Sequence, residues 1–206
     1  RHADLLVVAN GHHWDPRLPD FPGEFSGVQM HAHSYIDPRT PLELYGKRIL
    51  VVGLGNSAAD IAVELSSRTL ENTVTISTRS SAWIVPKYLG GKPADKYYRT
   101  SPHIPFAWQR KVAQVFQPLT AGRPENYGLP KPNHKFFEAH PTQSVELPFR
   151  LGAGDVTAKG DIERLDGDTV HFVDGSSADF DVIVYATGYN ITFPFFDPNF
   201  ISAPDN

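Results

Sequence analysis

Three short apolar runs punctuate the chain, at residues 4–8 (DLLVV), 48–52 (RILVV) and 181–185 (DVIVY). Each is closed within a few residues by a glycine, at Gly11, Gly53 and Gly188, and each predicts a buried strand. Residues 73–79 (TVTISTR) alternate apolar and polar, as a half-buried strand does. Ahead of that run, Ala58, Ile61, Ala62 and Leu65 fall at i, i+3, i+4 and i+7, the stripe of an amphipathic helix. Ser57 followed by Asp60 has the form of a capping box with Asp in place of Glu, which predicts a helix opening at Ser57. Strand, glycine loop, helix and strand thus fit into about thirty residues, the size of a βαβ unit.

Downstream the pattern is less regular. In residues 106–117 (FAWQRKVAQVFQ), Trp108, Val112, Val115 and Phe116 share one helical face. Residues 118–148 hold six prolines and predict a long surface loop, a length associated with function or an interface. Apolar runs at 162–165 and 170–173 are separated by Asp166-Gly167 and followed by Asp174-Gly175, which predicts the hairpins of a β-meander. Residues 12–27 carry Pro16, Pro19, Pro22, Gly23 and Gly27 and are expected to be loop. The stretches 4–11 (DLLVVANG) and 181–188 (DVIVYATG) echo one another. Either buried strands that end in glycine simply look alike, or both mark crossings between two nucleotide-binding domains.

At 206 residues the chain can bury a core, as one large domain or two small ones. Its hydrophobic content of 40% and net charge of −4 offer no basic footprint for nucleic acid or a membrane surface. No apolar run approaches the ~20 residues needed to cross a bilayer, and RHADLLVVANG lacks the pattern of a signal peptide. Cysteine is absent, which removes a disulfide framework, a thiolate zinc site and a dithiol relay from these residues. A cytoplasmic location is expected.

Gly53-x-Gly55-x-x-Ala58 matches G-x-G-x-x-G/A: one glycine for the tight turn, one for approach to pyrophosphate, one small residue for helix–strand packing. A strand–helix turn that binds nothing has the same form, but here the motif follows a strand and opens an amphipathic helix. At the end of the second strand, where an NAD site carries an acid, the chain has Thr78-Arg79-Ser80. Arg79 is either a solvated surface residue or a partner for a 2′-phosphate, and NADP is the expected nucleotide. His12, His13, His31 and His33 raise a metal reading, but with no cysteine and no carboxylate in register no metal is expected. No G-x-S-x-G elbow is present to support nucleophilic hydrolysis.

FSGVQMHAHSY fits F-x-G-x-x-x-H-x-x-x-Y through Phe25, Gly27, His31 and Tyr35. It resembles the fingerprint of flavin-dependent monooxygenases of the flavin-containing and Baeyer–Villiger kind. GHHWDPRLPDFPG before it, the G-x-G-N-S-x-x-D loop, STRSSAW and the closing ATGY resemble the same family in the same order, over nearly the whole chain. Tyr35, where the Baeyer–Villiger branch usually has Trp, is similar to the flavin-containing branch. Asn10 departs from the family's Ala-Thr-Gly at the first crossing.

The resemblance implies an α/β fold, a three-layer Rossmann-like dinucleotide-binding domain with a β-meander and fringes of an FAD domain. Residues 1–40 would be FAD-domain fringe and linker, 41–180 the NADP-binding domain, and 181–206 the return to the FAD domain. The family's upstream FAD-binding G-x-G-x-x-G is not among these residues, so an internal segment of a longer protein is expected. Implied cofactors are NADP(H) and, in the full-length protein, FAD. NADPH would reduce the flavin, dioxygen would add to form a hydroperoxyflavin, and oxygen would pass to a soft nitrogen or sulfur or insert beside a ketone. The partners would be a small-molecule substrate and dioxygen, with no nucleic acid or membrane, and with a homodimer as a further expectation. The residues expected to bind cofactor are Gly53, Gly55, Asn56, Ser57, Ala58, Thr78, Arg79, Ser80, Thr187 and Gly188. His31 and Tyr35 are the fingerprint candidates, either coupling domain motion to nicotinamide placement or only packing the linker. Two alternatives stay open: a flavoprotein like the pyridine-nucleotide disulfide reductases, and a non-catalytic NADP(H)-binding module.

Overall fold

The structure, a computed structural model, describes residues 5, 7–9, 11–94, 96 and 104–197. In chain order the elements are β1 (Asp15–Pro16), β2 (Gly23–Phe25), β3 (Val28–His31), β4 (Arg48–Val52), α1 (Asn56–Leu65), β5 (Thr73–Ser77), β6 (Ile84–Val85), β7 (Tyr88–Leu89) and β8 (Lys92–Pro93). They continue with α2 (Phe106–Ala121), β9 (Thr142–Gln143), α3 (Glu146–Ala153), β10 (Val156–Lys159), β11 (Ile162–Gly167), β12 (Thr169–Phe172), β13 (Ser177–Asp179), β14 (Val182–Tyr185) and β15 (Tyr189–Asn190).

Five of these strands make one parallel sheet in the order β10-β5-β4-β14-β3. Alternate side chains of the sheet enter two different cores. Ile49, Val51, Val74, Ile76, Val182 and Val184 pack with α1 and α3 on one face. Leu50, Val52, Ile183 and Tyr185 pack on the other face against the four-stranded sheet β13-β12-β11-β2, through Phe25, Leu165, Val170 and Phe172. Because both faces are covered, the runs 49–52 and 182–185 are apolar without alternation. The result is three layers: helices, parallel sheet, and a meander whose hairpins turn at Gly167 and Gly175, both at positive φ. The start of β14 is tied to the start of β4 by Asp181, whose carboxylate accepts from the Arg48 amide at 2.8 Å and from Arg48 Nη2 at 2.7 Å.

Several expectations change. At its described residues, Leu5, Val7 and Val8, the run 4–8 is not strand, and Leu5 and Val7 are 79% and 75% exposed. Asp4, Leu6 and Asn10 lie outside the described residues. The capping box at Ser57 is not formed, because α1 begins one residue earlier with Gly55 as N-cap. Ser57 is inside the first turn, and Asp60 instead meets Lys87 Nζ at 3.1 Å.

Helix α2 runs on past 117 through Pro118, and its apolar stripe is not buried: Trp108, Val112, Val115 and Phe116 are 62%, 52%, 67% and 58% exposed. It is held by its C-terminal end, where Gln117 Nε2 donates to the Ile84 and Gly122 carbonyls. Residues 118–148 are not a surface loop. They carry the end of α2, a 3-10 turn at Pro124–Tyr127, β9 and the start of α3, and they bury Leu129, Phe136, Thr142 and Ser144. The parallel sheet also runs across the divisions drawn at 40/41 and 180/181, since β3 precedes the first, β14 follows the second, and both are hydrogen-bonded into it.

Candidate dinucleotide site

From β4 the chain passes through α1 to β5 and on to β10 on one side, then returns through β14 on the other side of β4. The sheet order therefore reverses between β4 and β14, and at such a switch point a crevice lies outside the carboxyl ends of the strands. A cleft of about 750 Å3 opens there, lined by Gly53, Gly55, Thr78, Arg79, Ser80 and Thr187. The segment expected to be surface loop also lines it, through His134, His140 and Thr142, as do Arg17 and Asp161.

The two glycines serve different needs. Gly53 has φ +122°, its amide donates to the Ser77 carbonyl at 2.8 Å, and a Cβ there would lie 2.5 Å from the Ala186 carbonyl oxygen. The fold itself demands this glycine. Gly55 has φ −81°, and a Cβ would meet nothing within 4 Å. Nothing in the protein needs Gly55 to lack a side chain, so the space it leaves open is available to a ligand.

That space faces the head of α1. The first bond along the helix is Ala59 N–H to the Gly55 carbonyl at 3.0 Å, so the amides of residues 56–58 have no partner within the helix. No side chain caps them and the first turn holds no acid. Partial positive charge is left uncompensated where the cleft begins, which is a setting for phosphate. Ala58 is fully buried and lets α1 sit close on the sheet.

The other expected residues divide. Asn56 turns its Oδ1 away to accept from the Gln143 amide at 2.7 Å, and the Ser57 side chain is exposed outside the cleft lining. Thr142 Oγ1 donates to the Leu54 carbonyl, so β9 pins the glycine turn from above. Thr78 is buried and its Oγ1 donates to the Ser80 carbonyl at 2.6 Å, which projects Arg79 and Ser80 to the surface of the cleft. Arg79 has no ion pair among the described residues. Thr187 lines the cleft while its hydroxyl donates to the Arg17 carbonyl, and the Gly188 carbonyl accepts from the Arg17 amide at 3.0 Å.

His31 and Tyr35 do not line the cleft and do not act together. His31 is buried, its Nδ1 accepting from the His33 amide at 3.0 Å, with Nε2 left without a partner among the described residues. Burial pushes its imidazole below the usual range, the Gly188 carbonyl offsets part of this, and His33 adds to the lowering. Tyr35 reaches the other way, its hydroxyl donating to Glu64 Oε2 of α1 at 2.8 Å. Burial, then that hydrogen bond, hold the phenol well above its usual range. The rings of His13, His31 and His33 gather round Tyr189, at centroid distances of 4.9, 5.2 and 5.7 Å. Among the described residues no three His, Asp or Glu side chains are placed to hold a metal. A second cavity of about 450 Å3 beside α2 has no charged lining residue.

Thr142, Gln143, His134, His140 and Asp161 have no counterpart among the residues expected from the sequence. Thr142 and Gln143 reach the glycine turn, and His134, His140 and Asp161 the cleft, by long-range packing that no local pattern marks.

A family model described as flavin-binding monooxygenase-like matches residues 2–206. The chain belongs to the flavin-binding monooxygenase-like family. It is 38% identical over 214 residues to dimethylaniline monooxygenase (N-oxide-forming) 2 of Rattus norvegicus, covering 98% of this chain and 39% of that protein. It is 37% identical over 210 residues to flavin-containing monooxygenase 5 of Mus musculus, covering 94% and 37%. The chain thus spans about two fifths of the length of these relatives. Its fold matches a flavin-containing monooxygenase from Stenotrophomonas maltophilia with TM-score 0.61 at 18% identity, covering 96% of this chain and 46% of that one. It matches a cyclohexanone monooxygenase from Rhodococcus sp. Phi1 bound to NADP+ with TM-score 0.60 at 17% identity, covering 88% and 45%. At these identities the two structures share the fold with this family member. Among its described residues no helix is long and apolar enough to cross a membrane.

Proposed function

We propose that this chain is the NADP(H)-binding part of a flavin-dependent monooxygenase that uses FAD, NADPH and dioxygen to oxygenate a soft nitrogen or sulfur nucleophile or a ketone. One observation carries the nucleotide: the vacant side-chain space at Gly55, facing an uncapped helix head, with Arg79 beside it at the end of the next strand. The residues fit the group. Gly53, Gly55 and the amides of Asn56, Ser57 and Ala58 would hold the pyrophosphate. Thr78, Arg79 and Ser80 would hold the ribose 2′-phosphate, and Thr187 with Gly188 would stand at the nicotinamide side.

NADPH supplies the hydride and FAD the oxygen activation, so the work left to this chain is placement and exclusion of water. The helix head neutralises pyrophosphate charge, Arg79 selects the phosphorylated ribose, and β9 roofs the turn through Thr142. His31, neutral and buried, and Tyr35, tied to α1, brace residues 28–47 against this platform without touching the nucleotide. FAD enters through the family: among the described residues there is no second glycine turn at the head of a helix of this kind. In this reading residues 1–40 and 181–206 adjoin the FAD domain, and 41–180 carry most of the NADP domain, whose parallel sheet is completed by β3 and β14 from the flanking segments. The family supports a monooxygenase over a disulfide reductase, and the enzymatic relatives support turnover over a binding module. The reading includes a cytoplasmic location, checked by cell fractionation, and self-association as a homodimer, checked by sedimentation.

The test has two stages. Titration of the chain with NADPH reports the cleft. The full-length protein is then assayed for NADPH-dependent oxygen uptake and for an oxygenated amine, sulfide or ketone. Fast flavin reduction with no oxygenated product from any of the three classes would defeat the monooxygenase assignment while leaving the nucleotide site intact.

A further inference from the structure

We propose that Asp161 reads the adenine ring of the dinucleotide, its carboxylate accepting a hydrogen bond from the exocyclic 6-amino group. This rests on the dinucleotide reading of the cleft. The order of strands lays out the ligand. Neighbouring strands lie about 4.8 Å apart, with pyrophosphate at the end of β4 and the 2′-substituted ribose at the end of β5. β10 is the next strand outward, in parallel register with β5, Lys159 opposite Ser77. The part of the nucleotide beyond the ribose is the base, and the residue at the mouth of β10 is Asp161, which lines the cleft.

The two strand ends are held as one edge. Ser77 Oγ donates to the Gly160 carbonyl at 2.7 Å, and the Thr78 amide donates to the Lys159 carbonyl at 3.2 Å. Asp161 is half-buried and anchored on one side, its Oδ1 accepting from the Ile162 amide at 3.0 Å. Its second carboxylate oxygen has no partner among the described residues. The nearest lysine in sequence is already engaged: Lys159 Nζ donates to Ser176 Oγ at 2.8 Å and lies 5.6 Å from the Phe172 ring centroid.

An acceptor with a full negative charge, left open in a cleft that holds phosphates, repels them and takes a donor instead. On adenine the exocyclic amine is the hydrogen-bond donor, whereas hypoxanthine carries a carbonyl at the same position. Asp161 therefore selects adenine over hypoxanthine, independently of the choice between NADP and NAD made by Arg79.

The full chain is titrated with NADPH and with deamino-NADPH, its hypoxanthine counterpart. Wild type should bind NADPH about tenfold tighter, the discrimination of one hydrogen bond to a charged group. Asp161→Asn keeps an oxygen for the Ile162 amide and turns an amino group toward the base, so the preference should reverse. Asp161→Ala should bind the two alike. Equal affinities in wild type, or an unchanged preference in Asp161→Asn, would overturn the proposal alone. Failure of wild type to bind either nucleotide would overturn it together with the reading of the cleft.

Discussion

Gly53 and Ala186 meet where no side chain fits: a Cβ on residue 53 would lie 2.5 Å from the Ala186 carbonyl oxygen, while the Ala186 amide donates to the Val52 carbonyl at 2.8 Å. This contact closes the ends of β4 and β14 at the point where the sheet order reverses. Gly55, two residues on, has open space in the same place. Gly53→Ala should therefore lower stability by about 1–3 kcal/mol through its φ and the collision. Gly55→Ala should cost under about 1 kcal/mol as an N-cap change, yet weaken NADPH and NADH together by blocking the pyrophosphate. Urea melts and nucleotide titrations separate the two. A Gly55→Ala protein that binds NADPH like wild type would remove the phosphate from this turn.

Arg79 tests which nucleotide is used. A guanidinium on the 2′-phosphate makes charge-assisted hydrogen bonds that NADH does not accept, worth roughly 1.5–3 kcal/mol. Arg79→Ala should weaken NADPH by about tenfold to a hundredfold and leave NADH nearly unchanged. Equal losses for both nucleotides would make Arg79 structural.

Thr142 links the fold to the turn. It is buried, and its hydroxyl donates to the Leu54 carbonyl between the two glycines. Thr142→Val keeps the shape but leaves that carbonyl without its partner, which should cost about 1–3 kcal/mol and loosen the turn, weakening NADPH as well. Thr142→Ser should restore both. Stability and affinity equal to wild type in Thr142→Val would show that β9 does not brace the site.

The Arg48–Asp181 tie makes a pH signature. The Arg48 guanidinium, then its backbone N–H, hold the Asp181 carboxyl below its usual value of 3.8. A lowered native pKa contributes stability that is present above the unfolded value and lost as pH falls through the native one. The pair is 43% and 35% exposed, so solvent screens it and the effect is modest. Asp181→Asn should be less stable than wild type at neutral pH, with the gap closing below about pH 4. A gap that stays constant across that range in thermal melts would show that the Asp181 charge contributes nothing.

Much of the central sheet was legible from residues near one another in the chain. The run 49–52, the glycines at 53 and 55 and the stripe from Ala58 to Leu65 describe a strand, a turn and a helix, because each follows from a local period or a backbone angle. The two hairpins at Asp166-Gly167 and Asp174-Gly175 were legible for the same reason. The helix at 106–121 misled: its stripe is a correct period, but periodicity does not say what covers it.

The sequence alone therefore determines the glycine turn and the presence of Arg79 at the end of the next strand. These depend on spacing along a few tens of residues, and spacing is written in the chain. The tertiary structure decided that Gly53 is required by Ala186 whereas Gly55 is free for a ligand, although both read alike in the motif. It also brought Thr142 over Leu54 and set Asp161 one strand beyond Arg79. Those relationships join residues far apart in sequence, and they exist only once burial of both faces of the sheet has fixed which strands are neighbours.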